Sequence, residues 1–227
     1  MVASSLVGVG IYSTANAARL LRVEPDAVRR WLNGYRTGSG SAKRTVQRLW
    51  KGDIEALDSH YALSFLDLME AQYVVAFRAQ GVSWLELRRA HERAAIEEKT
   101  QHPFATRRYM TDGQAIVRHL PDFGKGEGLD EVRTKQRLLE MMRPVVSGID
   151  FEDDTARRWH PLGNERGVVL DPKRRFGEPI TKDGGVPTWV LAAAVAGGST
   201  RGEVASWYDI GVSAVDDAVE FEKSLAA

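Results

Sequence analysis

The sequence contains no cysteine. A chain without cysteine forms no disulfide framework, no thiolate zinc site and no cysteine nucleophile, and its composition fits a reducing compartment. Long apolar runs are also missing, since the longest extends over only eight residues, from Trp189 to Ala196. A membrane-spanning helix needs about 20 apolar residues. The stretch from Leu6 to Tyr12 lacks the preceding basic segment of a signal peptide, so we expect a cytoplasmic protein with no membrane partner.

Motifs for catalysis are equally sparse. The five histidines lie far apart without H-E-x-x-H spacing, and they are His60, His91, His102, His119 and His160. The sequence has no Walker loop, G-x-S-x-G or G-x-G-x-x-G motif. The acidic cluster Asp150, Glu152, Asp153 and Asp154 could hold a divalent cation in a hydrolase, but its pattern is more typical of a turn. We therefore expect no enzyme activity, no metal and no cofactor.

The distribution of charge is strongly asymmetric along the chain. The whole sequence has 31 basic and 31 acidic residues and no formal net charge. Residues 1–52 contain nine basic and two acidic residues, a net charge of +7, so the remainder has a net charge of −7. This asymmetry indicates a part that binds a polyanion, attached to a part with another role.

The first 36 residues predict two short helices joined by a turn. Ser13 can cap a helix from Thr14 to Leu21, and Pro25 suits the first turn of a second helix that runs to about Asn33. Two helices of about eight residues with a turn of three or four form a helix-turn-helix.

The second helix of this pair offers side chains suited to DNA. Arginine forks match guanine or phosphate, and asparagine pairs with adenine. A basic segment from Lys43 to Lys51 follows, and we expect it to form a wing or a third helix. Within it, Val46, Leu49 and Trp50 have helical spacing. The predicted DNA-binding residues are Thr14, Arg29, Arg30, Asn33, Tyr35, Arg36, Lys43, Arg44 and Arg48. The alternative is a solvated basic face on a protein-binding helical hairpin.

The middle of the chain predicts helices that are more apolar than a surface helix requires. The segment from Leu63 to Phe77 is apolar on more than one face. Such two-sided burial suits a homodimer interface through Phe65, Met69 and Tyr73, although ordinary core packing would produce the same pattern. Short strand-like runs follow.

The last 40 residues predict a second helix-turn-helix with the opposite charge. Helices over 201–208 and 214–224 would be capped by Thr200 and Ser213. Residues 199–224 have a net charge of −4, which a phosphate backbone would repel. We therefore expect this part to bind protein through Asp216, Asp217 and Glu220. The alternative is an acidic, solubilising face over a private core.

These patterns predict a mainly α protein with a small β component. The expected parts are a DNA-binding domain at 1–52, a helical dimerisation region with short strands at 53–163, and a small helical domain at 164–227.

Two segments resemble known families. The residues Tyr12–Leu21, Val23-Glu24-Pro25 and Val28–Trp31 resemble the DNA-binding helices of MerR-like regulators. The residues Arg175–Ile180, Gly185–Thr188 and Ala196–Ser199, continuing through Val204 and Tyr208, resemble a small domain found in VapB-type antitoxins. The resemblance implies a two-headed antitoxin that represses its own operator DNA and neutralises a PIN-domain ribonuclease toxin. The alternatives are a free-standing MerR-like regulator with a ligand-sensing part and, much less favoured, a hydrolase.

Overall fold

The computed structural model of the protein describes residues 6–39, 44–56, 60–111, 140 and 147–226. The chain is mainly helical with a small β component, as its sequence predicts. The helices are α1 (Thr14–Leu21), α2 (Pro25–Asn33), α3 (Phe65–Ala79), α4 (Trp84–Glu98), α5 (Arg107–Thr111), α6 (Thr188–Ala196), α7 (Arg201–Tyr208) and α8 (Val212–Ala226). The strands are β1 (Tyr12–Ser13), β2 (Tyr35–Thr37), β3 (Arg44–Val46), β4 (Ala62–Leu63), β5 (Ile149–Glu152), β6 (Thr155–Trp159), β7 (Val168–Leu170) and β8 (Pro179–Thr181).

The chain divides into two compact units. The N-terminal unit comprises Tyr12–Val146 and Asp153–Ala156, and the C-terminal unit comprises Met1–Ile11, Ser147–Glu152 and Arg157–Ala227. These bounds differ from the three parts expected from the sequence, 1–52, 53–163 and 164–227. The difference arises because the basic segment shares a core with the helices that follow it: the Trp50 indole Nε1 donates to Asp67 Oδ1 at 2.6 Å. The three parts remain a prediction about division of function.

The first two helices begin and end where local sequence signals predict. The Ser13 hydroxyl accepts a hydrogen bond from the Asn16 backbone at 3.1 Å and caps α1. Pro25 opens α2, and Gly34 ends it. Both helices bury one face, which contains Ala17, Ala18, Leu20 and Leu21 in α1 and Val28, Trp31 and Leu32 in α2.

A hairpin follows α2 instead of a third helix. Strands β2 and β3 pair antiparallel, with Tyr35 opposite Val46 and Arg36 opposite Thr45. The helical spacing of Val46, Leu49 and Trp50 is therefore misleading, and the wing was the correct alternative. Leu49 and Trp50 are buried outside any helix, and the Leu49 backbone N–H donates to the Trp31 carbonyl at 2.9 Å.

Helix α3 is the centre of the N-terminal unit. Ser64 and Asp67 form a capping box at its start. Phe65, Met69 and Tyr73 are only 1%, 0% and 0% exposed within a single chain, so they offer no surface to a second copy. Ordinary core packing accounts for the apolar pattern of α3, and the dimer interface predicted through these three residues is not supported.

The C-terminal unit places three helices beside a small sheet. The sheet has the order β5-β6-β7-β8, and the predicted acidic turn joins β5 to β6 with Asp153 and Asp154 at φ of 46° and 66°. The helical core contains Val186, Leu191, Val204, Ala205, Val215, Ala218 and Val219. Thr200 and Glu203 form the predicted capping box of α7. Helix α8 begins at Val212, however, so Ser213 lies inside the helix and the cap predicted there is wrong.

Candidate nucleic-acid interface

Helix α2 presents its polar side chains outward and its apolar side chains inward. Val28, Trp31 and Leu32 are buried, whereas Arg29, Arg30 and Asn33 are exposed. This separation follows from the helical period, because residues three and four apart lie on the same face. Arg29 and Asn33 are one turn apart and are therefore neighbours on the outward face of α2.

The two arginines of α2 have weak partners within the chain. Arg29 Nη2 lies 3.5 Å from Asp26 Oδ1, and both side chains are more than half exposed. The Arg30 guanidinium lies over the Tyr35 ring at 5.7 Å from its centroid, a cation–π contact. An exposed ion pair contributes only about 0–1 kcal/mol, so a phosphate or a base edge can replace it at little cost.

The hairpin extends the polar surface of α2. Tyr35 and Arg36 are exposed on β2, and Arg48 is exposed after β3. Gly34 connects α2 to β2 at a φ of +71°, and a Cβ there would lie 2.4 Å from the Val46 carbonyl oxygen. Only glycine permits this close approach of the two backbones, so Gly34 fixes the position of the hairpin against the end of α2.

Most of the predicted DNA-binding residues are therefore exposed on α2, on β2 or just after β3 of the N-terminal unit. Arg29, Arg30, Asn33, Tyr35, Arg36 and Arg48 are all exposed, and Thr14 is half-buried at the start of α1. Only the backbone of Arg44 is described, at its place on β3, and Lys43 lies outside the described residues.

A groove lies beside this surface. It has a volume of about 540 Å³ and is lined by the end of α2, the segment 45–51 and one face of α4. On the α4 side, the Arg88 Nη1 donates to Gln47 Oε1 at 2.7 Å. This bond links the segment after β3 to α4. Arg48 and Lys51 also line the groove and add positive charge to it.

A buried network of charged side chains supports the same segment from inside. Glu70 is fully buried on α3, and its carboxylate is 3.0 and 3.1 Å from His91 Nε2 and accepts from the Phe104 backbone N–H at 3.1 Å. His102 lies between two carboxylates, with its Nε2 2.8 Å from Asp53 Oδ1 and its Nδ1 3.4 Å from Glu70 Oε2. Asp53 lies two residues after Lys51, the last residue of the basic segment, so the network fastens that segment to α3.

The network perturbs the protonation of its members. Burial by itself lowers the pKa of His102, but hydrogen bonds and charge from Asp53 and Glu70 outweigh it and raise that pKa to about 10. Burial raises the pKa of Glu70, and the histidines His91 and His102 more than offset this, so the pKa is lowered. At neutral pH, His102 is therefore a cation between the carboxylates of Asp53 and Glu70.

Asp67 anchors the segment by hydrogen bonds. Its Oδ1 accepts from Trp50, and its Oδ2 accepts from the backbone N–H groups of Asp53 at 3.2 Å and Ser64 at 2.9 Å. Asp53, Asp67 and His102 each offer one metal-ligating atom, and these atoms lie within 4.8 Å of one another. Asp53 Oδ1 already bonds to His102 Nε2, and both Asp67 carboxylate oxygens already accept hydrogen bonds, so the arrangement as described is a structural ion network. The absence of a metal remains a prediction.

Sequence reasoning missed this network. The spacing of His91 and His102 in the sequence predicts no metal site, and no short sequence motif links either histidine to Asp53 or Glu70. The contacts join residues 21 to 49 positions apart. The capping box at Asp67 was the one local signal, and it revealed a helix start without revealing the buried indole partner.

The acidic residues predicted to bind protein lie on α8, in the C-terminal unit, and are partly paired. Arg166 Nε lies 2.5 Å from Asp217 Oδ1, and its Nη2 lies 2.7 Å from Glu220 Oε2. Asp217 also accepts from the Gly167 backbone N–H at 2.6 Å. These bonds to Glu220 and Asp217 raise the pKa of Arg166.

The third predicted acidic contact, Asp216, is also paired, with Arg201 Nε 2.5 Å from its Oδ1. The side chains of Asp216 and Glu220 are 52% and 60% exposed, whereas that of Asp217 is only 14% exposed. Arg166 and Arg201 therefore neutralise much of the acidic face of α8. Asp217 is mostly buried and stabilises the unit through its bonds to Arg166 and the Gly167 backbone.

The carboxylates of the sequence cluster near β5 do not converge. The Asp150 Oδ2 lies 3.0 Å from His160 Nε2, while Glu152 pairs with Arg157 and lies 3.6 Å from Lys173 Nζ. Asp153 and Asp154 form the hairpin turn. Separate partners and a turn conformation support the interpretation of this cluster as a turn.

Comparisons with known proteins agree with part of this picture. Residues 168–221 match the family described as "Protein of unknown function (DUF433)". This is the region for which the sequence predicts a small antitoxin-type domain. Among the described residues, no helix is long and apolar enough to cross a membrane.

Two curated proteins of Mycobacterium tuberculosis (strain ATCC 25618 / H37Rv) are similar over nearly the whole chain. One is named "Putative antitoxin VapB45" and is 27% identical over 93% of each chain. The other is "Uncharacterized protein Rv2308", 24% identical over 98% of this chain and 94% of its own length. The crystal structure of Rv2018 from the same species shares the fold, with a TM-score of 0.68, 24% identity, and coverage of 94% of this chain and 99% of that chain. The chain is thus similar in sequence to a protein named as an antitoxin, and it contains a segment of the DUF433 type.

Proposed function

We propose that this protein is the antitoxin of a type II toxin–antitoxin pair. In this proposal the N-terminal unit binds operator DNA, the remainder neutralises a PIN-domain ribonuclease toxin, and the protein acts as a homodimer by binding, without catalysis or a cofactor. The observation that carries the DNA half is the exposed polar surface of α2 and its hairpin. The toxin half rests on the similarity to VapB45 and on the antitoxin-type C-terminal segment.

The dimensions of α2 suit the major groove. Nine residues give a helix of about 13.5 Å, and the major groove is about 12 Å wide and admits a helix. Arg29 and Asn33 lie one turn apart on the outward face, which is the arrangement needed to contact neighbouring bases. An arginine fork reads guanine, and an asparagine amide reads adenine.

The hairpin and the segment after it are suited to hold the phosphates. Arg36 on β2 and Arg48 after β3 flank the end of α2, and each is exposed. Phosphate contacts set the register of the protein on the duplex, while the base contacts of α2 supply the sequence preference. The buried network around His102 and Asp67 fixes the segment that includes Arg48, so it holds this interface in shape.

The C-terminal unit is the proposed source of the toxin contact. Asp216 and Glu220 are the predicted contact residues that remain exposed. On binding, basic side chains of the toxin would replace Arg201 and Arg166 as the partners of these two carboxylates. Asp217 is held inside the unit and is not proposed to touch the toxin.

The direct test of the toxin half is inhibition of a ribonuclease. The reading frame adjacent to this gene should encode a PIN-domain protein, and the purified full chain should bind that protein and suppress its cleavage of RNA. A variant with Asp216→Lys and Glu220→Lys reports whether α8 supplies the contact, and Glu97→Lys with Glu92→Lys on α4 is the matched control. Binding of operator DNA without any effect on the adjacent gene product would favour the free-standing regulator instead.

A further inference from the structure

The groove between the segment 45–51 and α4 carries an excess of positive charge. Arg48, Lys51 and Arg88 line it together with one acidic residue, Glu92. Within the part of the chain that the structure describes, the side chains of Arg48 and Lys51 have no ion pair and no hydrogen bond. A groove lined by unpaired cations attracts an anion.

Arg88 is held beside the groove with donors to spare. Its Nη1 donates to Gln47 Oε1 at 2.7 Å, and its Nε lies 3.4 Å from Glu92 Oε1. A guanidinium has five N–H donors, and the Nη2 group of Arg88 makes no hydrogen bond to any residue that the structure describes. Gln47 and Glu92 therefore orient the planar guanidinium and leave Nη2 available to an anion.

Arg88 differs from the two other arginines of α4. Arg88 and Glu92 are one helical turn apart and both line the groove. Arg89 and Arg93 lie on the next side of the helix, where both are exposed and neither lines the groove. The same helix thus offers one arginine at the groove and two matched controls outside it.

The groove also reaches the polar side of α2. Asn33, at the end of α2, lines the groove and is one of the residues proposed to contact bases. Since the sugar–phosphate backbone borders the major groove, a strand read by α2 has its phosphates close to those bases. The groove has a volume of about 540 Å³, within the range of about 300–1,000 Å³ for pockets that hold organic ligands. A short length of backbone therefore fits its charge, its size and its position.

We propose that this groove binds the sugar–phosphate backbone of operator DNA beside α2, with Arg88 of α4 as a phosphate contact outside α2 and its hairpin. The inference rests on the proposed DNA binding and adds a contact to it. Glu92 acts in two ways: it orients Arg88, and its carboxylate repels a phosphate in the same groove.

The first experiment measures the affinity of the full chain for the promoter DNA of its own gene across a salt series. Arg88→Gln removes the positive charge and keeps an amide that can bond to Gln47. Its affinity should fall about 10-fold, the lower end for a hydrogen bond to a charged group, and its salt slope should fall by about one. Arg89→Gln removes the same charge outside the groove and should bind almost as well as wild type.

Glu92→Gln separates a phosphate contact from a structural role of α4. Neutralising Glu92 removes the repulsion in the groove, so the affinity for DNA should rise by about 2- to 5-fold. A variant whose fold is merely weakened would bind DNA less tightly. Glu97→Gln removes the same charge from an exposed position of α4 outside the groove and should leave the affinity unchanged. This pair also decides the question if Arg88→Gln fails to fold.

The contacted phosphate can be located with DNA that has one uncharged methylphosphonate in place of a phosphate. Wild type should lose affinity at one or two backbone positions where Arg88→Gln loses nothing further, because two changes to one contact are not additive. Additive losses at every position would overturn the inference.

The remaining outcomes separate this inference from the proposed function. If Arg29→Ala, Arg30→Ala loses the promoter DNA while folded Arg88→Gln and Glu92→Gln bind like wild type, the groove contact is wrong and DNA binding through α2 stands. A free nucleotide could supply the same phosphate chemistry, and AMP is its probe. Micromolar binding of AMP in calorimetry, lost in an Arg88→Gln variant that keeps its DNA affinity, would assign the groove to that ligand instead. A wild-type chain that binds no DNA would overturn both proposals.

Discussion

Replacing His102 with leucine should destabilise the N-terminal unit strongly. His102 is 6% exposed and lies 2.8 Å from Asp53 and 3.4 Å from Glu70. The leucine variant leaves Glu70 its contact with His91 but removes the cationic His102, and it leaves Asp53 without its imidazole partner. Removing one partner of a buried ion pair costs about 3–5 kcal/mol, because the other charge stays buried and uncompensated. For a unit of this size, the melting temperature should fall by about 6–20 °C.

The assay is urea unfolding followed by tryptophan fluorescence. Trp50 is a suitable reporter, since its indole stacks on the His91 ring at 5.9 Å and donates to Asp67. Asp53→Asn is the matched control, because an amide oxygen still accepts from His102 and the site is partly exposed, so the loss should be about 1 kcal/mol. A loss below about 1 kcal/mol in His102→Leu would refute the network as the support of this unit.

The effect of His102 should also depend on pH. The pKa of His102 is raised from 6.5 to about 10, so the folded unit binds this proton more tightly than the unfolded chain. The stabilisation is fully present below pH 6.5 and is lost as the pH rises through about 10. The difference in unfolding free energy between wild type and His102→Leu should therefore shrink over this range, and a constant difference would contradict the assignment.

Two further predictions concern the hairpin and the C-terminal unit. Gly34→Ala should lower stability by about 1–3 kcal/mol and weaken DNA binding, because its Cβ would meet the Val46 carbonyl oxygen at 2.4 Å. Thermal melting and a gel shift check this, and an unchanged melting temperature with unchanged DNA affinity would contradict it. Arg166→Ala should cost about 1–2 kcal/mol, since the mostly buried Asp217 loses its partner, whereas Arg201→Ala at the exposed Asp216 should cost below about 1 kcal/mol; equal losses in chemical unfolding would count against this difference.

Features set by neighbouring residues were predictable from the sequence. The starts of α1, α3, α4 and α7 follow from capping residues, and the end of α2 follows from Gly34. These signals act within one helical turn, so the surrounding fold does not change them. The exposed arginines of α2 were predictable for the same reason, because the helical period alone separates them from Trp31.

Features set by distant residues were not predictable. Val46, Leu49 and Trp50 have helical spacing, but pairing with β2 and the Asp67 carboxylate hold them in a strand and a loop. The neutralisation of Asp217 depends on Arg166, 51 residues earlier in the chain. The apolar pattern of α3 does not show whether Phe65 and Met69 pack in the core of one chain or in an interface between two. Only the positions of the helices around α3 decide this.

The structure also changes how the DNA-binding claim should be tested. Deleting residues 1–52 would remove Trp50 and the chain that precedes Asp53, so the remaining fragment would lose part of its own core. Exposed point substitutions in the full chain avoid this problem. Arg29 and Arg30 are the best positions, because both are exposed and alanine preserves the helix.

The most direct test of the proposed function is therefore the affinity of the Arg29→Ala, Arg30→Ala double variant for the promoter DNA of its own gene. Fluorescence anisotropy across a salt series should show a loss of about 1–3 kcal/mol for each arginine that contacts a base. Each lost phosphate contact should reduce the salt slope by about one. The Arg89→Ala, Arg93→Ala variant removes the same charge from exposed positions of α4 and should bind almost as well as wild type. Unchanged affinity in the α2 variant, or an equal loss in both variants, would contradict DNA binding through α2.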